Sequence, residues 1–205
     1  MTFFDTIQKS FVDVPVDAAN DNAIHTSEFL DASESLTTLF GEKSRSSHDV
    51  LGSAAFKPVK SDMTGNITKL RNRQVEKPGE SETLQALVVN EIKEKKHTAA
   101  EGLLWLTRGL DFTAQALREN IKNPSQELSD SFRAAYGNTL KPHHSFVIKP
   151  IFSAAMSATP YRKDFYAKLG DDEAKVQQQL EQWLGALERI VSIIKAFQEK
   201  KEAKW

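Results

Sequence analysis

Cysteine is absent from all 205 residues, which excludes a disulfide framework, a thiolate nucleophile and a cysteine-ligated zinc site. That absence is compatible with a reducing compartment. An excess of either charge is missing too, since 27 lysines and arginines stand against 28 acidic residues. Such a balance gives no electrostatic footprint for nucleic acid and no general attraction to anionic lipid, so any membrane contact must be local. Long apolar runs are also lacking. The longest charge-free stretch, from Pro150 to Tyr161, is far short of the ~20 apolar residues a membrane span needs. The opening MTFFDTIQKSF has no basic segment followed by a continuous apolar one. The expectation is an unprocessed cytoplasmic protein.

What is present is helical periodicity, with no run of alternating strand pattern and no internal repeat. With 40% hydrophobic content, the chain is long enough for a single domain with a sizeable core. The expected fold is all-α, about eight helices packed in layers. Phe3, Phe4, Ile7 and Phe11 form a first helical stripe, a better reading of FFDT than an adaptor-binding motif. VDVPVDAANDNA reads as a loop, and a helix follows from about Ser27 to Phe40. GEKSRSSHD reads as a polar loop. A long helix is predicted from about Val50 to Val75, bent at Pro58.

Next come SETLQALVVNEIKEKK and HTAAEGLLWLTRGLDFTAQALREN, the latter opening with a capping box of Thr98 and Glu101. Ser125 is the expected cap of a shorter helix that stops at Gly137. PHHSFVIKPIFSAAMSATP, apolar and rich in small residues, predicts a helix buried on most sides. The last helix starts near Asp171 and carries Val176, Leu180, Trp183, Leu184, Leu187, Ile190, Val191, Ile194 and Phe197 on one broad stripe.

One helical stretch carries an ordered polar row. In SDMTGNITKL, Asp62, Asn66 and Lys69 recur at i, i+4 and i+7 beside an apolar seam of Met63, Ile67 and Leu70. By itself such a row is usually a solvated face. Enzyme signatures are missing: no glycine-rich phosphate loop, no G-x-S-x-G, no H-E-x-x-H and no repeated Glu-x-x-His. His97 and Glu101 make a weak metal pair, and Glu101 is better explained by capping. His143 and His144 are adjacent, so they cannot both point at one ion, and one is expected to face inward.

Taken together, SDMTGNITKL, EGLLWLTRGLDF and HHSFVIKPIFSAAMSATPYRKDF resemble the glycolipid transfer protein family, specifically its fungal heterokaryon-incompatibility (HET-C type) branch. The order D-x-x-G-N-x-x-K, W-L-x-R-G-L-x-F, His, I-F-x-A-A and P-Y-x-x-D-F carries the likeness. It spans nearly the whole chain and is weakest over the first 50 residues. The resemblance implies a two-layer all-helical sandwich that opens to hold one sphingolipid and moves it between membranes without covalent chemistry or a cofactor.

It further implies that Asp62, Asn66, Lys69 and Trp105 read the sugar headgroup, and that Asp62 and His144 bond the ceramide amide. Phe56, Val59, Phe112, Phe152, Ala155, Met156 and Phe165 are implied to line an apolar tunnel. Phe146 stands where animal members have a membrane-entering tryptophan. Two further departures are Thr107 for a common lysine and Ala203 for a tyrosine, with Trp205 as the last residue given. The implied partners are a glycosphingolipid of the glucosylceramide or galactosylceramide kind and a transient membrane surface, met by a monomer. The rivals are a ceramide-1-phosphate carrier of the same fold, a glycolipid sensor or adaptor, and a hydrolase using Asp62 and His144.

Overall fold

A computed structural model describes residues 1–41, 50–51 and 56–205. Helices are α1 (Phe3–Thr6), α2 (Thr26–Thr37), α3 (Lys57–Glu76), α4 (Leu84–Lys93) and α5 (Thr98–Lys122), followed by α6 (Leu128–Asn138), α7 (Ile148–Ser157), α8 (Arg162–Leu169) and α9 (Glu173–Gln198). The polar-loop reading of GEKSRSSHD and the expected helix through residues 52–55 lie largely outside the described residues.

Helix α5 is the centre of the molecule, packed against α3, α4, α6 and α9. Its buried positions, from Ala99 through Leu106, Leu110, Phe112 and Leu117 to Asn120, fall on more than one face, as a helix enclosed by neighbours requires. Glycines set how closely it meets α3. A Cβ on Gly102 would stand 3.1 Å from Lys69 Cβ and 3.2 Å from the Asn66 carbonyl oxygen, and one on Gly109 would stand 3.4 Å from Met63 Cγ. The two helices therefore run antiparallel, and Trp105 lies along α5 between the two glycines.

The broad α9 stripe packs as its period requires, with all nine of the residues named above buried. Elsewhere tertiary context changes the local reading. Phe3, Phe4, Ile7 and Phe11 do not share one helix: α1 ends at Thr6, and Phe11 belongs to a separate 3₁₀ turn, Phe11–Asp13. Phe3 and Phe11 still reach the core, and Phe4 lies against Trp183 with ring centroids 6.0 Å apart. The loop after them contains a short antiparallel hairpin, β1 (Val16–Asp17) with β2 (Ala23–Ile24), pairing Val16 with Ile24. Its turn places Asp21 and Asn22 at φ 53° and 56°, the left-handed region these short polar side chains tolerate.

Helix α3 starts at Lys57 rather than bending at Pro58, which sits in the first turn where the missing N–H would have no helical partner anyway. The expected capping box at Thr98 is also replaced. His97 is the N-cap and supplies no side-chain bond. Instead the buried carboxylate of Glu91, on α4, accepts from the N–H groups of Ala99 (2.9 Å) and Ala100 (2.8 Å). A carboxylate at a helix N-terminus satisfies orphan donors and complements the helix dipole. Glu127, not Ser125, precedes α6, and Asn120 ties the connection through Nδ2 to Gln126 O and Ser131 Oγ, each at 3.1 Å.

Candidate functional site

The row on α3 is less uniform than its spacing suggests. Asp62 and Lys69 are half-buried, whereas Asn66 is only 5% exposed and donates its Nδ2–H to the Asp62 carbonyl at 3.0 Å. That back-bond leaves Asn66 Oδ1 as the polar group it can offer. Burial pushes the Asp62 carboxyl above its ordinary value, and the nearby Lys69 ammonium partly offsets this. Lys69 is shared with Glu101 on α5 at 3.6 Å. Both ends of that pair are substantially solvated, so it contributes less than about 1 kcal/mol and yields readily to a ligand.

Trp105, on α5 between Gly102 and Gly109, is half-buried and held on several sides. The Arg108 guanidinium carbon lies 4.8 Å from its ring centroid. The His144 ring is nearly parallel to it, 20° off with centroids 5.8 Å apart, and His143 meets it edge-on at 6.4 Å. Both histidines lie in the turn between α6 and α7 rather than on a helix, and it is His144 that faces inward. Burial, then the positive charges of His143, Lys149 and Arg108, hold the His144 imidazole below its ordinary value, so it is neutral at pH 7.

Sequence reading missed Tyr136. Its hydroxyl lies 3.1 Å from His144 Nδ1, and its ring stacks on Phe152 at 5.7 Å. Phe152 in turn packs edge-on against His144 at 4.4 Å. Trp105, His144, Phe152 and Tyr136 thus form one aromatic cluster. A second cluster adjoins it through α6: Phe132, one turn before Tyr136, meets Phe56 at 6.0 Å and Phe112 at 5.4 Å, and Phe40 stacks on Phe56 at 5.6 Å.

Val59, Ala155 and Met156 are also buried, alongside Phe56, Phe112 and Phe152. Phe165 stands apart, buried on α8 with Tyr166 of the same helix as its ring neighbour at 5.3 Å. Neither Phe40 nor Phe132 carried a sequence signal beyond an ordinary core position.

Helix α7 departs from the expectation of burial on most sides. Only Phe152, Ala155 and Met156 of its ten residues are buried, because its main packing is against α3 and α6 on one face. Its uncovered approach displays Phe146 (86% exposed), Val147, Ile151 and, at the next corner, Tyr161. Among the other departures, Thr107 is buried and donates its hydroxyl to Leu103 O at 2.7 Å, so this position faces the core. Ala203 is buried in a 3₁₀ turn that packs on α4. Trp205 stacks on His97, 13° from parallel with centroids 6.1 Å apart. Among the described residues, no helix is long and apolar enough to cross a membrane, and no group of three or more His, Asp or Glu is placed to hold a metal.

An all-helical body with hydrogen-bonding groups gathered over an aromatic interior defines the class of carriers for amphipathic molecules. The sequence profile of the glycolipid transfer protein (GLTP) family matches residues 24–171, and the chain belongs to that family. It is 65% identical to the glycolipid transfer protein of Aureobasidium melanogenum over 204 residues, covering 100% of this chain and 96% of that one. A mouse pleckstrin homology domain-containing family A member 8 is 34% identical over 94% of this chain, which spans only 38% of that relative's length.

Among solved structures, HET-C2, a fungal glycolipid transfer protein, superposes with a TM-score of 0.94 at 62% identity, covering 100% of both chains. The GLTP-fold of FAPP2, described as selecting simple glycosphingolipids, superposes with a TM-score of 0.83 at 31% identity over 97% of this chain and 95% of that one. The fold is therefore the all-α sandwich of that family. Its members are lipid transfer proteins rather than enzymes, which removes the hydrolase reading of Asp62 and His144.

Proposed function

We propose that this chain acts as a single-domain, monomeric carrier that takes a neutral, short-headgroup glycosphingolipid from one membrane and delivers it to another. The work is placed in the cytoplasm, with transient membrane contact at Phe146. In this reading the sugar hydroxyls bond to Asp62, Asn66 Oδ1 and Lys69, and the ring lies on Trp105. Asp62 accepts the ceramide amide N–H, and His144 donates to its carbonyl. The acyl chains part the packed residues Phe56, Val59, Phe112, Phe152, Ala155 and Met156, with Phe165 at the far end. A chain of about 14 methylenes at ~0.8 kcal/mol each costs roughly 11 kcal/mol to expose to water, so a dry path is a physical requirement for transfer. Met156 suits it because methionine repacks around variable shapes.

The observation that carries this reading is the charge of the headgroup site. Asp62 and Lys69 offset each other across one face of α3, and the next cation, Arg108, is engaged over the Trp105 indole. A phosphate needs several free cationic donors and would meet the Asp62 carboxylate, whereas sugar hydroxyls use mixed donors, acceptors and a flat apolar surface. The test is competition between glucosylceramide and ceramide-1-phosphate in one vesicle transfer assay. Preferential movement of the glucosylceramide is expected, with Asn66→Lys plus Trp105→Arg shifting preference toward the phosphate. Equal transfer of both lipids by the unaltered protein would overturn the sugar reading. Binding without delivery to acceptor vesicles would support a sensor instead.

A further inference from the structure

The chain carries 28 acidic residues, yet none falls between Asp130 and Asp164. That interval supplies most of α6, the turn after it and all of α7, and it contains Arg133, Lys141, Lys149, Arg162 and Lys163 together with His143 and His144. The same interval displays Phe146, Val147, Ile151 and Tyr161, large hydrophobic side chains that are exposed. A chain of near-zero net charge thus gathers cations and uncovered apolar groups in one segment. Exposed apolar groups so concentrated mark an interaction site.

The cations that stay unpaired locate the excess more closely. Arg133 is paired with Asp130 at 3.2 Å, and at the α8 end Glu127 accepts from the Arg162 backbone N–H at 2.8 Å while Asp164 follows Lys163. Around the turn between α6 and α7 the balance differs. Lys141 is exposed, Lys149 is half-buried, and among the described residues neither they nor Arg108 of α5 are in an ion pair. Asp111 and Glu199 share a cavity with Arg108 and His143, but Lys195 holds the first at 2.9 Å and Lys204 the second at 3.2 Å. After burial, the charges that lower the two imidazoles are all positive: Arg108 on His143, and His143, Lys149 and Arg108 on His144.

The inner side of this segment narrows what covers the outer one. His144, two residues before Phe146, stacks on Trp105, and Phe152 and Met156 of α7 are buried, so one stretch of chain serves both the headgroup site and the exposed face. A second copy of the chain would set like charges against each other across a two-fold contact. A bilayer of neutral lipid would take the apolar groups and leave the lysines without countercharge. We propose that the α6–α7 turn and the start of α7 form a docking surface for bilayers carrying anionic phospholipid, with Phe146, Val147 and Ile151 entering the interface and Lys141 and Lys149 meeting the headgroup anions. Lysine suits this edge because its hydrocarbon stem lies along apolar surface while the ammonium stays at headgroup level. The inference rests on the carrier reading, to which it adds the class of membrane that is met.

Cosedimentation of the full chain with glycolipid-free vesicles tests this. Vesicles of phosphatidylcholine with about one-third phosphatidylserine are expected to bind the protein roughly tenfold more tightly than phosphatidylcholine alone, and salt raised to about 0.5 M should erase the difference. Lys141→Ala and Lys149→Ala should each weaken phosphatidylserine-dependent binding about fivefold, with phosphatidylcholine binding and circular dichroism unchanged. Lys122→Ala removes an exposed cation at the C-terminal end of α5, in no ion pair among the described residues, and should change neither. Equal binding of both vesicle types by the unaltered protein, or a phosphatidylserine preference that survives in the Lys141→Ala, Lys149→Ala double variant, would overturn the proposal. So would a dimer in sedimentation velocity that Phe146→Ala dissociates, since the face would then belong to a second copy. Because the vesicles hold no glycolipid, the two readings fail separately. Glucosylceramide transfer with no phosphatidylserine preference sinks the membrane class alone, and phosphatidylserine-selective binding without transfer sinks the carrier reading alone.

Discussion

Tyr136 Oη stands 3.1 Å from His144 Nδ1, a contact that ties the phenol to the imidazole tautomer. The buried phenol hydrogen needs an acceptor, and among the described residues Nδ1 is the one it has. With the phenol donating to Nδ1, the neutral ring carries its own proton on Nε2, as a donor for an amide carbonyl. Tyr136→Phe frees the tautomer and is expected to weaken glycosylceramide binding about 3- to 10-fold with the fold intact. Histidine ¹⁵N shifts should move with the loss; unchanged affinity would assign Tyr136 to packing alone.

Asp62 is expected to reveal itself by opposite effects on binding and stability. Unfolded, its carboxyl titrates near 3.8; folded, burial raises that value, so the native state holds the proton more tightly. The resulting penalty is absent below the unfolded value, grows as pH rises through the folded one and is constant above it. Asp62→Asn removes the penalty, so at neutral pH its melting temperature should rise by about 2–4 °C, with the gain vanishing near pH 3. Glycolipid affinity should fall roughly 30-fold in the same variant. A lower melting temperature at neutral pH would mark Asp62 as a structural residue.

Gly102 sets the spacing between the α3 row and α5. An alanine there places its methyl 3.1 Å from Lys69 Cβ and 3.2 Å from the Asn66 carbonyl, tighter than ordinary contact. Gly102→Ala is expected to cost about 1–3 kcal/mol in denaturant unfolding and to lower sugar affinity by displacing Lys69. Gly65→Ala, whose added methyl meets open space, is the control and should be neutral or slightly stabilising.

Phe146, 86% exposed, has no folded-state packing to lose. Phe146→Ala is expected to slow uptake from vesicles by about tenfold, because roughly 1.5–3 kcal/mol of interfacial burial disappears. Affinity for detergent-presented lipid should be unchanged, and Phe146→Trp should restore or exceed the original rate. Equal losses in both assays would exclude a docking role.

Glu91 is only 3% exposed and spends its carboxylate on the α5 N-terminus. Glu91→Ala leaves two buried N–H groups without acceptors and is expected to destabilise the fold by about 2–4 kcal/mol. Hydrogen exchange at Ala99 and Ala100 should accelerate far more than exchange in α9.

The sequence by itself determined the elements whose partners lie within one helix. Val176, Leu180, Trp183, Leu184 and Leu187 repeat with the helical period, so α9 and its buried face were readable from spacing, as was the shared stripe of Asp62, Asn66 and Lys69. The ordered motifs around them marked the family because three separated segments had to agree. Spacing leaves undecided whatever depends on a neighbour from elsewhere in the chain. Glu91 on α4 displaced the local capping box of α5, and Tyr136 on α6 oriented His144 from eight residues away. Gln85 Oε1 accepts from the Ile24 backbone N–H and helps seat a hairpin that local pattern read as a loop. The apolar α7 looks buried on most sides because composition records affinity for the core and not which faces the core reaches. Only packing against α3 and α6 left Phe146, Val147 and Ile151 uncovered.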